Sequence, residues 1–159
     1  MVEVLKEGDH NNAWPSIFDK KQLDQKENMN VARYSHSLSA IADILVAVGG
    51  FDKNAVKVTK SCEVFWRQEE KWSPIADLNQ ERFCHAACVL KNYVYVFCGG
   101  SDKLTYLNSI ERICPENNAN WELLQVSKKI PVRADCGAVA IDDCEDRICI
   151  FGGSHQVHL

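Results

Sequence analysis

The chain has 159 residues, 46% hydrophobic and 25% charged, which is the balance of a folding globular protein and excludes a disordered one. A formal net charge of -4 supplies no basic stripe for a phosphate backbone, so nucleic acid is excluded as a first expectation. No apolar run approaches the roughly 20 residues that cross a bilayer, and Met1 to Asp9 lacks a signal peptide's apolar centre, so a cytoplasmic location is expected.

In chain order, VEVLKEGDHNNAWPSI from Val2 to Ile17 carries a glutamate and then a tryptophan. A segment of small and apolar residues opens at Arg33 in ARYSHSLSAI, and an apolar strand, ILVAVGG, runs from Ile44 to Gly50. CEVFWRQEEKW follows, with Glu63 and Trp72. The order then returns: Arg82 in ERFCHAACVL, a turn at Lys91 and Asn92, VYVFCGG from Val94 to Gly100, and IERICPENNANW with Glu111 and Trp121. It begins again at Arg133 in VRADCGAVAI and reaches ICIFGG from Ile148 to Gly153.

The glycine pairs start at Gly49, Gly99 and Gly152, 50 and 53 residues apart; the arginines are 49 and 51 apart and the tryptophans 49. Each period offers four predicted strands: a small-residue strand after the arginine, an apolar strand into the glycines, a strand around the glutamate and a short one after the tryptophan. Continuous apolar runs such as VYVFC suit strands covered on both faces, where an exposed strand would alternate. Arginine, apolar strand with glycine pair, glutamate and tryptophan, repeated at about 50 residues, resemble the kelch repeat, in which each repeat is one blade of a β-propeller.

That resemblance implies an all-β fold of four-stranded antiparallel blades, incomplete in this chain. Aligned on glutamate and tryptophan, Glu3 matches Glu63 and Trp14 matches Trp72. Residues 1–30 then read as the second half of a blade, 31–78 and 79–130 as whole repeats, and 131–159 as the first half of another blade with a tail. Closed propellers use about 4 to 8 blades, so further blades from sequence beyond this chain or from a second chain are expected, and the isolated chain is not expected to be a stable monomer.

Gly49, Gly50, Gly99, Gly100, Gly152 and Gly153 read as architectural, because glycine alone takes positive φ and close backbone approach without a Cβ clash. Arg33, Arg82 and Arg133 read as partners of backbone or carboxylate near the axis, and Trp14, Trp72 and Trp121 as filler between blades. Where kelch repeats commonly carry a tyrosine two residues after the glutamate, this chain has Phe65 and Ile113.

His36 and His85 occupy equivalent positions, but the third repeat has Cys136 there, which argues against a ligand role. His155 and His158 have no acidic or thiolate companion for a metal. Eight cysteines would suggest disulfides in a small secreted chain, yet Cys88, Cys98, Cys136 and Cys149 fall in apolar runs where a thiol acts as a small hydrophobe. Cys144, in an acidic turn, is the expected exposed thiol. No metal, cofactor or catalytic residue is expected.

The kelch resemblance implies a non-catalytic scaffold or adaptor for a protein partner, such as a cytoskeletal or ubiquitin-ligase component, bound on the loop face. The alternative class is a kelch-type propeller enzyme, a copper radical oxidase or sugar-processing enzyme. Positions just after the glycine pair and two residues after the arginine carry over as contacts: Phe51, Lys53, Ser101, Lys103, Ser154 and Gln156, with Ser35, Cys84 and Asp135. The pairing of Lys53 with Lys103 points to an acidic partner segment.

Overall fold

In the computed structural model, residues 3–5, 23–25, 27–102, 105–117, 119–126, 130–141 and 146–154 are described. Trp14, Lys103, Cys144, His155, Gln156 and His158 lie outside them.

The architecture is all-β. The first whole blade is a four-stranded antiparallel sheet ordered along the chain, and its strands need defining after three earlier ones: β1 (Glu3–Leu5), β2 (Leu23–Gln25) and β3 (Arg33–Tyr34). It consists of β4 (Ser37–Ile41) and β5 (Ile44–Val48), then, beyond β6 (Phe51–Asp52) and β7 (Lys57–Val58), of β8 (Cys62–Trp66) and β9 (Lys71–Ile75). The second blade repeats the order with β10 (Ala86–Leu90), β11 (Tyr93–Phe97), β12 (Ile110–Ile113) and β13 (Glu122–Leu124). A two-stranded sheet, β14 (Ala134–Ile141) and β15 (Arg147–Ser154), supplies the two inner strands of a third blade, and β1 pairs with β2. A small sheet of β3, β6 and β7 at the loop end of the first blade was not anticipated by the repeat pattern.

Each blade buries alternate residues against a different neighbour, as the pleat dictates. Ile44, Val46 and Val48 on β5 join Val94 and Val96 on β11 in the core between the first two blades. Phe97 and Cys98 instead meet Cys136, Ala138, Ile148 and Ile150 between the second and third, while Ala47, Phe65 and Trp72 form the first blade's other face. This is why VYVFC reads as one apolar run: both of its faces are covered. Complete burial of a valine such as Val46, Val94 or Val96 contributes about 1.5–3 kcal/mol over leaving it exposed.

The third blade shows the converse. Its outward face leaves Val139, Ile141 and Phe151 exposed, with Phe151 at 57%, and Cys149 shares that exposure. The expectation that Cys149 is buried therefore fails in this chain, because no following blade covers that face among the described residues.

The second glycine pair is one residue out of register with the other two. Gly49 and Cys98 each donate their N–H to a serine carbonyl, Ser61 and Ser109 (both 3.1 Å), and Gly50 and Gly99 each donate to the next repeat's arginine carbonyl (both 2.8 Å). Gly50 thus corresponds to Gly99, and Gly49 to Cys98, a non-glycine residue held at φ 60°. By the same pairing Gly152 corresponds to Cys98 and Gly153 to Gly99. A Cβ on Gly50, Gly99 or Gly153 would come within 2.7–2.8 Å of a backbone oxygen in its own repeat, whereas one on Gly152 would meet nothing within 4 Å. Gly100, expected to be a second strained glycine, has no positive φ. It is small because the ring of Phe83 lies over it.

Candidate functional site

The repeat's arginine and glutamate build one device twice. Arg33 donates to the carbonyls of Gly49 (2.7 Å) and Ser61 (2.8 Å), to the Ser61 hydroxyl (3.1 Å) and to the Glu63 carboxylate (2.7 Å). Arg82 repeats this with Cys98 O (2.8 Å), Ser109 O (3.4 Å), Ser109 Oγ (3.1 Å) and Glu111 (2.6 Å). The side chains of Arg82 and Glu111 are both wholly buried. Each glutamate is closed from its other side by the segment entering the blade: Asn30 N–H and Nδ2 with Val31 N–H on Glu63, and Asn79 N–H and Nδ2 with Gln80 N–H on Glu111. Burial pushes the Glu63 carboxyl up, but Arg33, Asn30 and Val31 outweigh it and hold the group below the usual carboxylate range. The device spans the blade, clamping the chain before the inner strand to the third strand.

Trp72 is buried with Ala47 and Phe65 of its own blade and Trp121 in the core between the first two blades, and they donate Nε1–H to the carbonyls of Glu27 (3.2 Å) and Ala76 (3.0 Å). Asn30, Asn79, Ser61 and Ser109 were missed by sequence reasoning. Their spacing was the available signal, since Asn79 follows Asn30 by the same 49 residues that separate the arginines.

The residues that follow the arginines share one backbone conformation. Ser35, Cys84 and Asp135, each two residues after its arginine, all adopt left-handed backbone, with φ of 53°, 50° and 55°. Cys84 N–H donates to Ser35 O (2.9 Å) and Asp135 N–H to Cys84 O (2.8 Å), one blade to the next. Burial first, then Asp135, push the Cys84 thiol up. Three of the sequence-derived contact residues are thereby brought together as one chain of neighbours at the mouth.

Behind them lie the histidines. His85 Nε2 hydrogen-bonds the Ser37 hydroxyl of the preceding blade (2.8 Å), while Nδ1 is buried without a partner. Burial, with Arg82 and His36 close by, lowers its pKa to about 3. His36 is lowered too, first by burial and then by Arg33.

The loops are less uniform. Phe51 stacks on Tyr34 with centroids 5.0 Å apart. Lys53 is exposed at the start of a turn in which Asp52 Oδ1 accepts from Asn54 N–H (2.8 Å) and Ala55 N–H (2.9 Å). Phe51 pairs with Tyr34 as Gly100 does with Phe83, so Gly100, not Ser101, is the counterpart of Phe51, and Asp102, not Lys103, that of Lys53. Ser101 is buried and its hydroxyl bonds that of Thr105 (2.7 Å), and Asp102 accepts from Val58 N–H of the preceding blade (2.8 Å). Ser154 is half-buried at the end of β15. The counterpart of Lys53 in the second repeat is therefore Asp102, while Lys103 lies outside the described residues.

Antiparallel four-stranded sheets packed face to face around inner strands, each locked by a buried Arg–Glu couple, define β-propeller blades. The sequence pattern of the Kelch motif family matches residues 32–79 and 81–119, and the chain belongs to the kelch-repeat family. It is 35% identical over 135 residues to Kelch-like protein 36 of Bos taurus, covering 84% of this chain and 21% of that protein. It is 24% identical over 127 residues to Kelch repeat and BTB domain-containing protein 2 of Cowpox virus (strain GRI-90 / Grishak), covering 74% and 22%. To tRNA wybutosine-synthesizing protein 4 of Candida albicans it is 33% identical over 143 residues, covering 87% and 20%. The chain spans about a fifth of the length of these relatives.

Proposed function

We propose that the chain is part of a non-catalytic interaction scaffold whose protein partner seats on the mouth formed by Ser35, Cys84 and Asp135, with Phe51, Lys53 and Ser154 on the surrounding loops. One observation carries this reading: the three mouth residues share a left-handed backbone and are linked blade to blade by backbone hydrogen bonds. Backbone held in this way displays a hydroxyl, a thiol and a carboxylate at fixed spacing and spares a partner the cost of ordering them. The chemistry at the mouth favours a scaffold over an enzyme. Its thiol is held protonated, and His85 behind it is held neutral and turned into the joint with the preceding blade.

The same reading has further blades, from the same polypeptide or a second chain, covering Val139, Ile141 and Phe151 and pairing with the edge of β15 turned away from β14. An exposed apolar face beside an open strand edge is otherwise a site of aggregation. Arg133 supports this: it donates to Gly152 O at 2.9 Å, as Arg33 and Arg82 do to the equivalent Gly49 and Cys98 carbonyls. A neighbouring strand bearing a glutamate would complete its clamp.

The test is photo-crosslinking in the polypeptide that carries these repeats, with the crosslinking residue at Asp135 or, on the opposite face, at Arg67. Partner capture from position 135 alone is expected. Equal capture from both, or capture from 67 alone, refutes the assignment of the face.

A further inference from the structure

The two blade joints use one pair of positions differently. At the first joint Gly49 faces His85, and a Cβ on Gly49 would lie 3.3 Å from the imidazole Cε1. At the second joint the place of Gly49 is taken by Cys98, and that of His85, three residues after the arginine, by Cys136. A small residue facing a large one has become two residues of equal size, both thiols. Both belong to one apolar cluster that spans the joint, with Cys98 in its core and Cys136 packed against it. The backbone holds them from either side, by Gly99 N–H on Arg133 O and Asp135 N–H on Cys84 O, both 2.8 Å. Cys98 is fully buried, whereas Cys136 is half-buried and accessible.

We propose that Cys98 and Cys136 form a redox site, at which two-electron oxidation joins them in a disulfide that staples the second blade to the third. A hydroperoxide is the oxidant. The Cys136 sulfur attacks it, forming an S–O bond as the O–O bond breaks, and yields a sulfenic acid and one molecule of water or alcohol. The Cys98 sulfur then attacks the Cys136 sulfur: the S–S bond forms, the S–O bond breaks, and the hydroxyl leaves as water with the Cys98 proton. Both thiols are oxidised and the peroxide is reduced. Burial pushes the Cys98 thiol up to about 11, which keeps it from reacting with the peroxide by itself. Cys88, half-buried in the same cluster, is the competing resolving thiol.

The folded protein is treated with hydrogen peroxide, its remaining thiols are blocked, and its peptides are mapped by mass spectrometry. The expected product is a reductant-sensitive peptide pair joining Cys98 to Cys136, absent from Cys98→Ser and Cys136→Ser and retained in Cys88→Ser. The same treatment in denaturant should lose this selectivity, which ties the linkage to the fold even if a variant expresses poorly. Cys136 accumulating as a sulfinic acid with Cys98 free, or a linkage to Cys88, overturns the proposal.

Discussion

Replacing Glu111 with glutamine changes one atom in the most enclosed polar device of the chain. Glu111 accepts from Arg82 at 2.6 Å and from Asn79 at 2.7 and 2.9 Å, and neither Arg82 nor Glu111 has side-chain contact with solvent. The substitution keeps the volume, so no cavity forms. It turns one acceptor into a donor, which then faces either the guanidinium or the Asn79 N–H, and it leaves the Arg82 charge buried without its counterion. Breaking a buried pair from one side costs about 3–5 kcal/mol, a large share of the roughly 5–15 kcal/mol that holds a domain folded. In the polypeptide that carries these repeats, urea unfolding followed by tryptophan fluorescence should show the midpoint falling by about 2 M at an unchanged slope near 2 kcal/mol/M. Arg82→Met combined with Glu111→Leu should cost markedly less than the two single changes added together, since it removes both charges at once. Additive costs, or a loss below about 1 kcal/mol for the glutamine variant, would refute the view that the blade is held by this couple.

Glycine substitutions should separate close approach from backbone strain. Gly99→Val forces a Cβ to 2.8 Å from Phe83 O at φ +96° and should cost about 3–5 kcal/mol, whereas Gly152→Val meets no atom within 4 Å and should cost only about 1–3 kcal/mol of left-handed strain in this chain. Equal losses of melting temperature would contradict that division. For His85 the folded pKa of about 3 lies below the ordinary 6.5, so its contribution is complete above pH 6.5 and is lost as pH falls from 6.5 toward 3. The loss is about 1.4 kcal/mol per pH unit, or about 2 kcal/mol by pH 5; a His85→Gln variant with the same slope in denaturant titrations from pH 5 to 6.5 would exclude His85 as its source. Arg133→Met should cost under about 1 kcal/mol in the isolated chain and about 3–5 kcal/mol where a following blade supplies a glutamate; no difference between the two contexts would show that this arginine is never clamped.

How much of this was legible depends on whether a feature lies in one repeat or between two. The period, the strand order and the arginine, glutamate and tryptophan markers are local patterns, and the structure places Arg33 on Glu63 and Arg82 on Glu111. The glycine register was misread because two adjacent glycines align by eye with two others. The arginine spacing of 49 against a glycine spacing of 50 already contained the one-residue shift. What hid it was Cys98, since a cysteine at φ 60° carries no sequence sign that it stands in a glycine's place. Burial was legible only for strands with a neighbour on each side. VYVFC and ICIF look alike in composition, yet Phe97 is 2% exposed and Phe151 is 57% exposed. The pleat decides which face a side chain takes, and the next blade decides whether that face is wet. A residue in a propeller strand is therefore half specified by its own repeat and half by the neighbouring one. The joint between Cys98 and Cys136 is the clearest instance: each thiol is an ordinary apolar residue within its own strand, and only the packing of the second blade on the third makes them a pair.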